Sequence, residues 1–410
     1  MSRREGLSLR GNMLWNSAGS TIRLVCNYLI TIAVVRLSHG FDAAGTLSLA
    51  MSIANLVLPF ADFRLRTLHV TDVSQERSSG AYVGLRILTS ALSFLIGVVY
   101  SAATNSPGSL LVISLYLVYS IITNFIEVFH AIDQRALRMD ISGKSYMMQG
   151  ASNLIAFSAV LWLTNSLVLA VISLSLTTLM IGLVYDMPRA ARFEPIRPIV
   201  EWRPAVTTLA ALLPLVLAQV ASSAVLTIPK QQLALLAGDS ALGIYSSVAA
   251  PALIVQMGAT YVYSPLMGTF AEQFATDKRA AVRLLGKTTA VILAVTAALS
   301  VLLLLFGGPI LHLLFGRQIL EYTYLLQPML LCTLLTAFAW FMNDLLLALR
   351  DFKASFFGNI VAAAITAAGS TYFVTAFGMN GVSWVGIVAY AVAVAILVLF
   401  FIRDYRRLDR

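Results

Sequence analysis

The chain has 410 residues, of which 59% are hydrophobic and 11% carry a formal charge. Soluble domains have about 25% charged residues, so this composition excludes an ordinary soluble globule. The apolar runs last about twenty residues, the length of a helix that crosses the hydrocarbon core of a bilayer. A β-barrel would instead show alternating segments of about ten residues. The sequence therefore predicts an all-α polytopic membrane protein.

Twelve membrane-spanning helices are predicted in chain order. They lie near residues 11–35, 43–63, 81–103, 109–130, 146–165, 167–186, 206–230, 241–268, 288–311, 322–348, 354–376 and 381–402. The first is long enough to be an uncleaved signal anchor rather than a cleaved signal peptide. Cys26 and Cys332 both fall inside apolar segments, which suggests neither a disulfide framework nor a metal site. No cofactor is expected.

The basic residues predict the orientation of these helices. With an even number of spans, most of the 28 Lys and Arg residues fall in loops on one side, whereas Arg36, Lys230 and Arg317 fall on the other. The positive-inside rule then places both termini in the cytoplasm. The formal net charge of +9 is thus assigned to topology and to attraction by anionic lipid heads, and not to nucleic acid.

A proline-containing loop at 186–203 divides the predicted spans into six and six. A short repeat supports a duplication: GFDAAG at 40–45, followed by Ser48, resembles GDSALG at 238–243, followed by Ser246. Both copies match A-x-G-x-x-S, and each opens the second span of its half. With an even number of spans per half, the copies share one orientation. We therefore predict two six-helix lobes, 1–190 and 191–410, around a central cavity, as in transporters.

Polar side chains recur at helical spacing within several spans. The first span carries Asn12, Asn16, Ser20, Arg23, Asn27 and Thr31 on one face. Such side chains often join neighbouring helices by hydrogen bonds, and that alternative stays open for each Ser, Thr and Asn. Arg23 lies too deep to reach either surface and has no acid on its own helix, so we expect it to line a hydrated cavity.

Lys230 follows Pro229, which favours a kink in the seventh span. Its side chain either extends to the outer surface or faces the cavity. Two cations in a cavity of low dielectric favour an anionic ligand such as a phosphate or pyrophosphate. The sequence thus favours an anionic substrate over an organic cation.

Three acidic residues are candidates for binding a coupling proton or sodium ion: Asp62, Glu127 and Asp344. The alternative for Glu127 and Asp344 is structural pairing with nearby Arg135 or Arg350 close to the inner surface. No nucleotide-binding loop of the G-x-x-x-x-G-K type is present, so ATP is not expected to drive the chain directly.

Several segments resemble a known family. The loop FRLRTLHVTDV at 63–73, the loop RMDISGK at 138–144, and Ile228-Pro229-Lys230 with the later LGIYS at 242–246 and Ser264-Pro265 are similar to the corresponding segments of bacterial polysaccharide-unit flippases. These are the Wzx-like members of the multidrug/oligosaccharidyl-lipid/polysaccharide exporter superfamily. The resemblance covers most of the first eight spans and is weaker in the last four.

The resemblance implies a function and roles for individual residues. Such proteins turn an undecaprenyl-pyrophosphate-linked oligosaccharide from the cytoplasmic to the outer leaflet by alternating access, within the bacterial cytoplasmic (inner) membrane and beside other polysaccharide-assembly proteins. Arg23 and Lys230 would then engage the pyrophosphate or acidic sugars. The remaining cavity residues would be Asn16, Asn27, Asn55 and Gln219, and the cytoplasmic gate would contain Arg64, Arg66, Asp72, Arg135, Arg138 and Asp140.

Two other functions are weighed against this one. A cation-coupled multidrug exporter of the same superfamily also has twelve helices, but the first and seventh spans contain no acid to couple such substrates. A membrane-embedded glycan-assembly enzyme would need an acid/base or nucleophile cluster, whereas the four histidines, His39, His69, His130 and His312, are scattered. The chain is therefore expected not to be an enzyme.

Overall fold

A computed structural model of the protein describes residues 6–38, 40–72, 77–349 and 351–408, whose regular secondary structure is helical with no strand among them. His39, Val73 and Arg350 lie outside the described residues. The helices of the first part are α1 Leu9–Leu37, α2 Asp42–Asp62, α3 Leu65–Thr71, α4 Ser79–Thr104, α5 Pro107–Arg135, α6 Met139–Thr164, α7 Leu167–Ile181 and α8 Met187–Ala190, with a π-turn at Gly182–Asp186. The later helices are α9 Trp202–Ala249, α10 Ala252–Tyr263, α11 Met267–Thr276, α12 Lys278–Phe315, α13 Leu326–Ala348, α14 Phe352–Phe377 and α15 Asn380–Leu408, with 3₁₀ turns at Ser264–Leu266 and Arg317–Leu325.

Ten helical segments of the described chain are long and apolar enough to cross a membrane, two fewer than the twelve predicted spans. The fifth predicted span corresponds to α6, whose buried polar residues, among them Gln149 and Asn153, lower its mean hydropathy. The eighth, 241–268, is divided among the end of α9, α10 and a 3₁₀ turn that contains Pro265. The all-α polytopic class is confirmed, while the count of twelve and the cytoplasmic termini stay predictions.

The chain forms two compact units, Met1–Val216 and Leu217–Arg410. The change from one unit to the other falls inside α9, beyond the boundary predicted at residue 190. That earlier boundary marks the loop that precedes α9. The six-helix lobes as functional halves stay a prediction.

The internal repeat corresponds to the same backbone feature in each unit. Gly40 has φ 94° and ends the connection from α1 to α2, and Gly238 has φ 86° and interrupts α9. Both values lie in the left-handed region that glycine adopts without steric cost. Two equivalent turns at the equivalent place in the repeat support the predicted duplication.

A two-residue turn separates α2 from α3. Phe63 and Arg64 both have positive φ, 43° and 54°, which is uncommon for residues with side chains. The carboxylate of Asp62 accepts a hydrogen bond from the Arg64 backbone N–H at 3.1 Å and so stabilises the turn. As a result, α3 lies against α5 and carries Arg66 towards it.

The segment after α8 is held on α4 through glycine. The backbone N–H of Ile199 donates to the Gly80 carbonyl at 2.9 Å. A Cβ on Gly84, one turn further, would lie only 2.8 Å from the Ile199 carbonyl carbon. This contact therefore requires glycine at position 84.

We expect Gly84→Ala to loosen this segment, because the added methyl group displaces backbone that cannot move as a side chain would. Limited digestion of the purified protein with a glutamate-specific protease should then cut faster after Glu201, which is exposed and lies two residues beyond Ile199. Gly268→Ala is the matched control, since a Cβ there meets nothing within 4 Å. Equal cleavage rates in the two variants would contradict the expectation.

The second unit contains a largely apolar core. Tyr263, Phe270, Phe274 and Phe341 pack together, with ring centroids 5.3–6.4 Å apart. Aromatic residues at these distances contribute packing energy without charge. The first unit, by contrast, contains buried charged groups such as Arg86 and Asp186.

Candidate functional site

Glu127 of α5 is the centre of a charged cluster inside the first unit. Its carboxylate forms an ion pair with Arg66 of α3 and lies 3.6 Å from Arg23 Nη1 of α1. The Tyr146 hydroxyl of α6 donates to the same carboxylate at 3.0 Å. One anion therefore serves two guanidinium groups, and these three residues carry a formal excess of one positive charge.

Arg23 is positioned by a close crossing of α1 and α6. A Cβ on Gly19 would lie 2.7 Å from Gly143 Cα, and one on Gly150 would lie 2.9 Å from Arg23 Cα, so glycines allow the two backbones to meet. Tyr146 lies between the two α6 glycines, and its ring centroid is 4.1 Å from Arg23 Cζ. Cation–π contact and the ion pair fix the guanidinium while 27% of the side chain stays exposed.

Arg66 is part of this cluster as well. It donates to the Tyr146 hydroxyl at 2.9 Å and to Gln134 Oε1 at 3.2 Å. The predicted gate residue thus shares the acid that holds the predicted cavity residue Arg23. A movement of α3 would change the surroundings of Arg23 through Glu127.

A buried histidine extends the cluster to the π-turn. His130 Nδ1 lies 3.7 Å from Glu127, and Nε2 lies 3.3 Å from Asp186 Oδ1. Ser145 donates to the other Asp186 oxygen at 2.9 Å. His130 and Asp186 are both fully buried, so each depends on these partners for the polar contacts that water would otherwise supply.

Arg86 of α4 forms a second polar centre beside the first. Only 1% of its side chain is exposed, and Nη1 donates to the Ala61 carbonyl at 2.9 Å and to Asn124 Oδ1 at 2.6 Å. Asp62, a candidate for ion coupling, lies 3.4 Å from the same nitrogen. Asp62 therefore has a structural partner at the end of α2.

The sequence reasoning missed Arg86, His130, Tyr146 and Asp186. The i,i+3 spacing of Glu127 and His130 on one helix was the one local signal that could have found the histidine. Tyr146 and Asp186 have no such signal, because their partners come from other helices.

The other predicted cavity residues are at the surface of their own units to different degrees. Asn16, Asn27 and Lys230 are half-buried, and Asn55 and Gln219 are exposed. Asn12, from the same stripe as Arg23, is instead buried: it donates to the Leu7 carbonyl at 3.0 Å and accepts from the Met139 N–H at 2.8 Å. For Asn12, the structure therefore confirms the alternative that such polar side chains join neighbouring helices by hydrogen bonds, here α1 and α6.

The remaining gate and coupling residues have local partners. Arg135 lies 3.6 Å from Glu194, so the sequence alternative that paired Glu127 with Arg135 is wrong, because Glu127 faces α1 and α3 instead. Arg138 holds Asp140 by two hydrogen bonds of 2.8 and 3.0 Å. Asp72 accepts a hydrogen bond from the Tyr82 hydroxyl at 3.1 Å. Arg64 is exposed in the turn after α2, and Asp344 contacts Tyr263. Among the described residues, no group of three or more His, Cys, Asp or Glu side chains is arranged to hold a metal ion.

No family model matches the chain, and no curated protein matches it at a significant level. Solved structures of MOP-superfamily transporters do match. This chain is similar over 97% of its length to the lipid II flippase MurJ in an inward closed conformation, with a TM-score of 0.76, 12% identity and 90% of that chain covered. It is also similar to the inward-facing conformation of a multidrug resistance MATE family transporter (0.68, 14%, 98% of that chain).

A third similar structure is a MOP-superfamily transporter from Pyrococcus furiosus Vc1, whose binding pocket is described as having reverse polarity (TM-score 0.64, 13% identity, 97% of this chain and 95% of that one). At these identities the likeness concerns the fold. The chain is a multi-pass membrane protein with the fold of MOP-superfamily transporters.

Proposed function

We propose that this membrane protein, with the fold of MOP-superfamily transporters, moves an undecaprenyl-pyrophosphate-linked oligosaccharide from the cytoplasmic to the outer leaflet by alternating access. Its place would be the bacterial cytoplasmic membrane, in the assembly of a cell-surface polysaccharide. The observation that carries the proposal is the partly exposed side chain of Arg23, whose guanidinium is held by Glu127 and Tyr146.

The chemistry of this arrangement favours an anionic ligand. Because Glu127 is shared by Arg23 and Arg66, it does not neutralise both, and the partly exposed Arg23 side chain keeps positive charge that attracts a phosphate. Half-buried Asn16 and Asn27 lie on the same helix at spacings that place them on one face with Arg23, where their amides would hydrogen-bond sugar hydroxyls. The similarity to a lipid II flippase supports a lipid-linked substrate.

In the proposed cycle, Arg23 and Lys230 attract the pyrophosphate while the polyprenyl tail stays in the bilayer. Arg66 competes with Arg23 for Glu127. When α3 moves away, Glu127 would bind Arg23 more completely and weaken its hold on the phosphate. Substrate release would thereby be coupled to the gate.

A cation-coupled multidrug exporter is the second candidate. The observation that favours it is the buried chain of Glu127, His130 and Asp186, which has the composition of a proton-binding site. One of the similar structures is a multidrug resistance MATE family transporter. In that case Arg23 would hold Glu127 in place rather than bind the substrate.

Arg23→Ala is expected to abolish export of the lipid-linked oligosaccharide, and Arg23→Lys to retain part of it, since lysine keeps the charge but loses the bidentate geometry. Cells that depend on the variant would be converted to spheroplasts and treated with an impermeant glycan-modifying reagent. Protected, inward-facing intermediate should accumulate in Arg23→Ala, and lysed cells give the total.

Arg10→Ala is the matched control, because Arg10 is an exposed arginine at the start of the same helix. Full export by a normally expressed Arg23→Ala protein would refute the substrate role of Arg23. Intermediate that is exposed outside but unprocessed would instead indicate an enzyme. If depletion causes no accumulation while drug sensitivity rises, the multidrug candidate replaces the flippase.

A further inference from the structure

A second basic site lies in the first unit, away from Glu127. An open pocket of about 340 Å³ is lined by Arg138, Asp140, Ile141, Lys144, Tyr185, Arg189, Arg192 and Phe193. Its four cations and one carboxylate leave a formal excess of three positive charges. A concentration of like charge in one pocket is costly without an anion to balance it.

Two of these cations are held in place by aromatic rings. Arg189 stacks on Tyr185, with Cζ 3.6 Å from the ring centroid, and donates to the Tyr185 carbonyl at 2.9 Å. Lys144 Nζ lies 5.0 Å from the ring centroid of Trp15. Cation–π contacts fix these side chains without neutralising their charge.

Carboxylates neutralise only part of the pocket. Asp140 is bound by Arg138 through two hydrogen bonds and lies 3.9 Å from Lys144 Nζ. Among the described residues, Arg189 and Arg192 have no acidic partner, and Arg192 is exposed. Two guanidinium groups on adjacent turns are therefore available to one anion.

The surroundings of the pocket are those of a membrane boundary. Leu183, Val184 and Met187 lie in the turns that carry Tyr185 and Arg189, and their exposed fractions are 51%, 66% and 40%. Trp and Tyr next to Lys and Arg are typical of the headgroup layer. The positive-inside prediction places this end of the helices at the cytoplasmic face.

We propose that this pocket binds the phosphate headgroup of an anionic lipid of the cytoplasmic leaflet, with the acyl chains along the exposed apolar side chains of the π-turn and α8. The guanidinium groups of Arg189 and Arg192 match phosphate geometry, and the adjacent apolar surface accounts for a lipid better than for a soluble phosphate. The pocket includes Arg138 and Asp140 of the predicted cytoplasmic gate but not Arg23, Arg66 or Glu127. Lipid held here would brace α6 against the π-turn that carries Asp186.

Native mass spectrometry of the purified full-length protein tests this inference. Phosphatidylglycerol is titrated in detergent, with phosphatidylcholine and inorganic phosphate as separate probes. The wild type should retain phosphatidylglycerol in preference to phosphatidylcholine. Arg189→Gln/Arg192→Gln should weaken that retention about tenfold or more, since two cations are removed, and Arg189→Lys/Arg192→Lys should keep most of it.

The matched control is Arg279→Gln/Arg283→Gln, which removes two exposed arginines one turn apart on α12 in the other unit. Equal weakening in both double variants, or none in either, would overturn the proposal. Displacement of phosphatidylglycerol by inorganic phosphate at equal concentration would overturn the lipid assignment. If Arg189→Gln destabilises the fold, Arg192→Gln alone gives the test, and an unchanged affinity would refute it.

None of these outcomes depends on the transported substrate. A protein that binds phosphatidylglycerol through Arg189 and Arg192 but exports no glycan would refute the proposed function alone. The reverse result would refute the lipid site alone.

Discussion

Glu127→Gln is expected to destabilise the first unit by about 3 kcal/mol, the usual cost of leaving buried charges without their partner. The substitution keeps the size of the side chain but removes the one carboxylate that faces Arg23, Arg66 and the Tyr146 hydroxyl. Thermal unfolding of the purified protein in detergent should show a clear loss. Export should fall with it, because Arg23 loses its orienting partner.

The control for this result is Glu321→Gln, at an exposed acid in the second unit. A double-mutant cycle with Arg66→Gln separates the pair from general damage. Removing both partners should cost less than the sum of the single changes, since the second removes a charge that the first left unpaired. If Glu127→Gln unfolds at the wild-type temperature, Glu127 is not the organising centre of the cluster.

Gly19→Ala is expected to cost about 1–3 kcal/mol, the range for overpacking a close contact. The added Cβ would lie 2.7 Å from Gly143 Cα, and backbone on α6 cannot rotate away as a side chain does. Because the same crossing places Arg23 over Tyr146, we also expect reduced export. Thermal unfolding and the spheroplast assay together measure both effects.

Gly286→Ala is the matched control, since it also lies within a helix but a Cβ there meets nothing within 4 Å. It should leave stability unchanged or raise it by about 0.5–1 kcal/mol, because alanine is the better helix former. A Gly19→Ala protein with unchanged stability would show that α1 and α6 tolerate a wider separation.

The two basic sites of the first unit differ in how their charge is balanced. At Glu127, two arginines share one acid, and both arginine side chains are partly exposed. At the pocket beside α8, Arg189 is held by an aromatic ring and a carbonyl, while the one acid, Asp140, binds Arg138. Both arrangements keep cationic donors for an outside anion, which is consistent with a protein that handles phosphate-bearing lipids.

The sequence alone determined the membrane-spanning helical class and the approximate position of most spans. It also placed Arg23 deep within the first predicted span. These follow from hydropathy, helical periodicity and charge, which are local properties that neighbouring residues already carry. The repeated glycines at 40 and 238 are also a local signal, because a turn with positive φ favours glycine wherever it occurs.

Only the tertiary structure decided which groups Arg23 meets. Its acid comes from α5 and its aromatic ring from α6, and Arg66 reaches the same acid only because of the turn at Phe63 and Arg64. Such partners are distant in sequence and are brought together by helix packing. The glycines that let α1 and α6 cross closely therefore decide which groups meet at the site. The spacing of polar residues along α1 does not decide this.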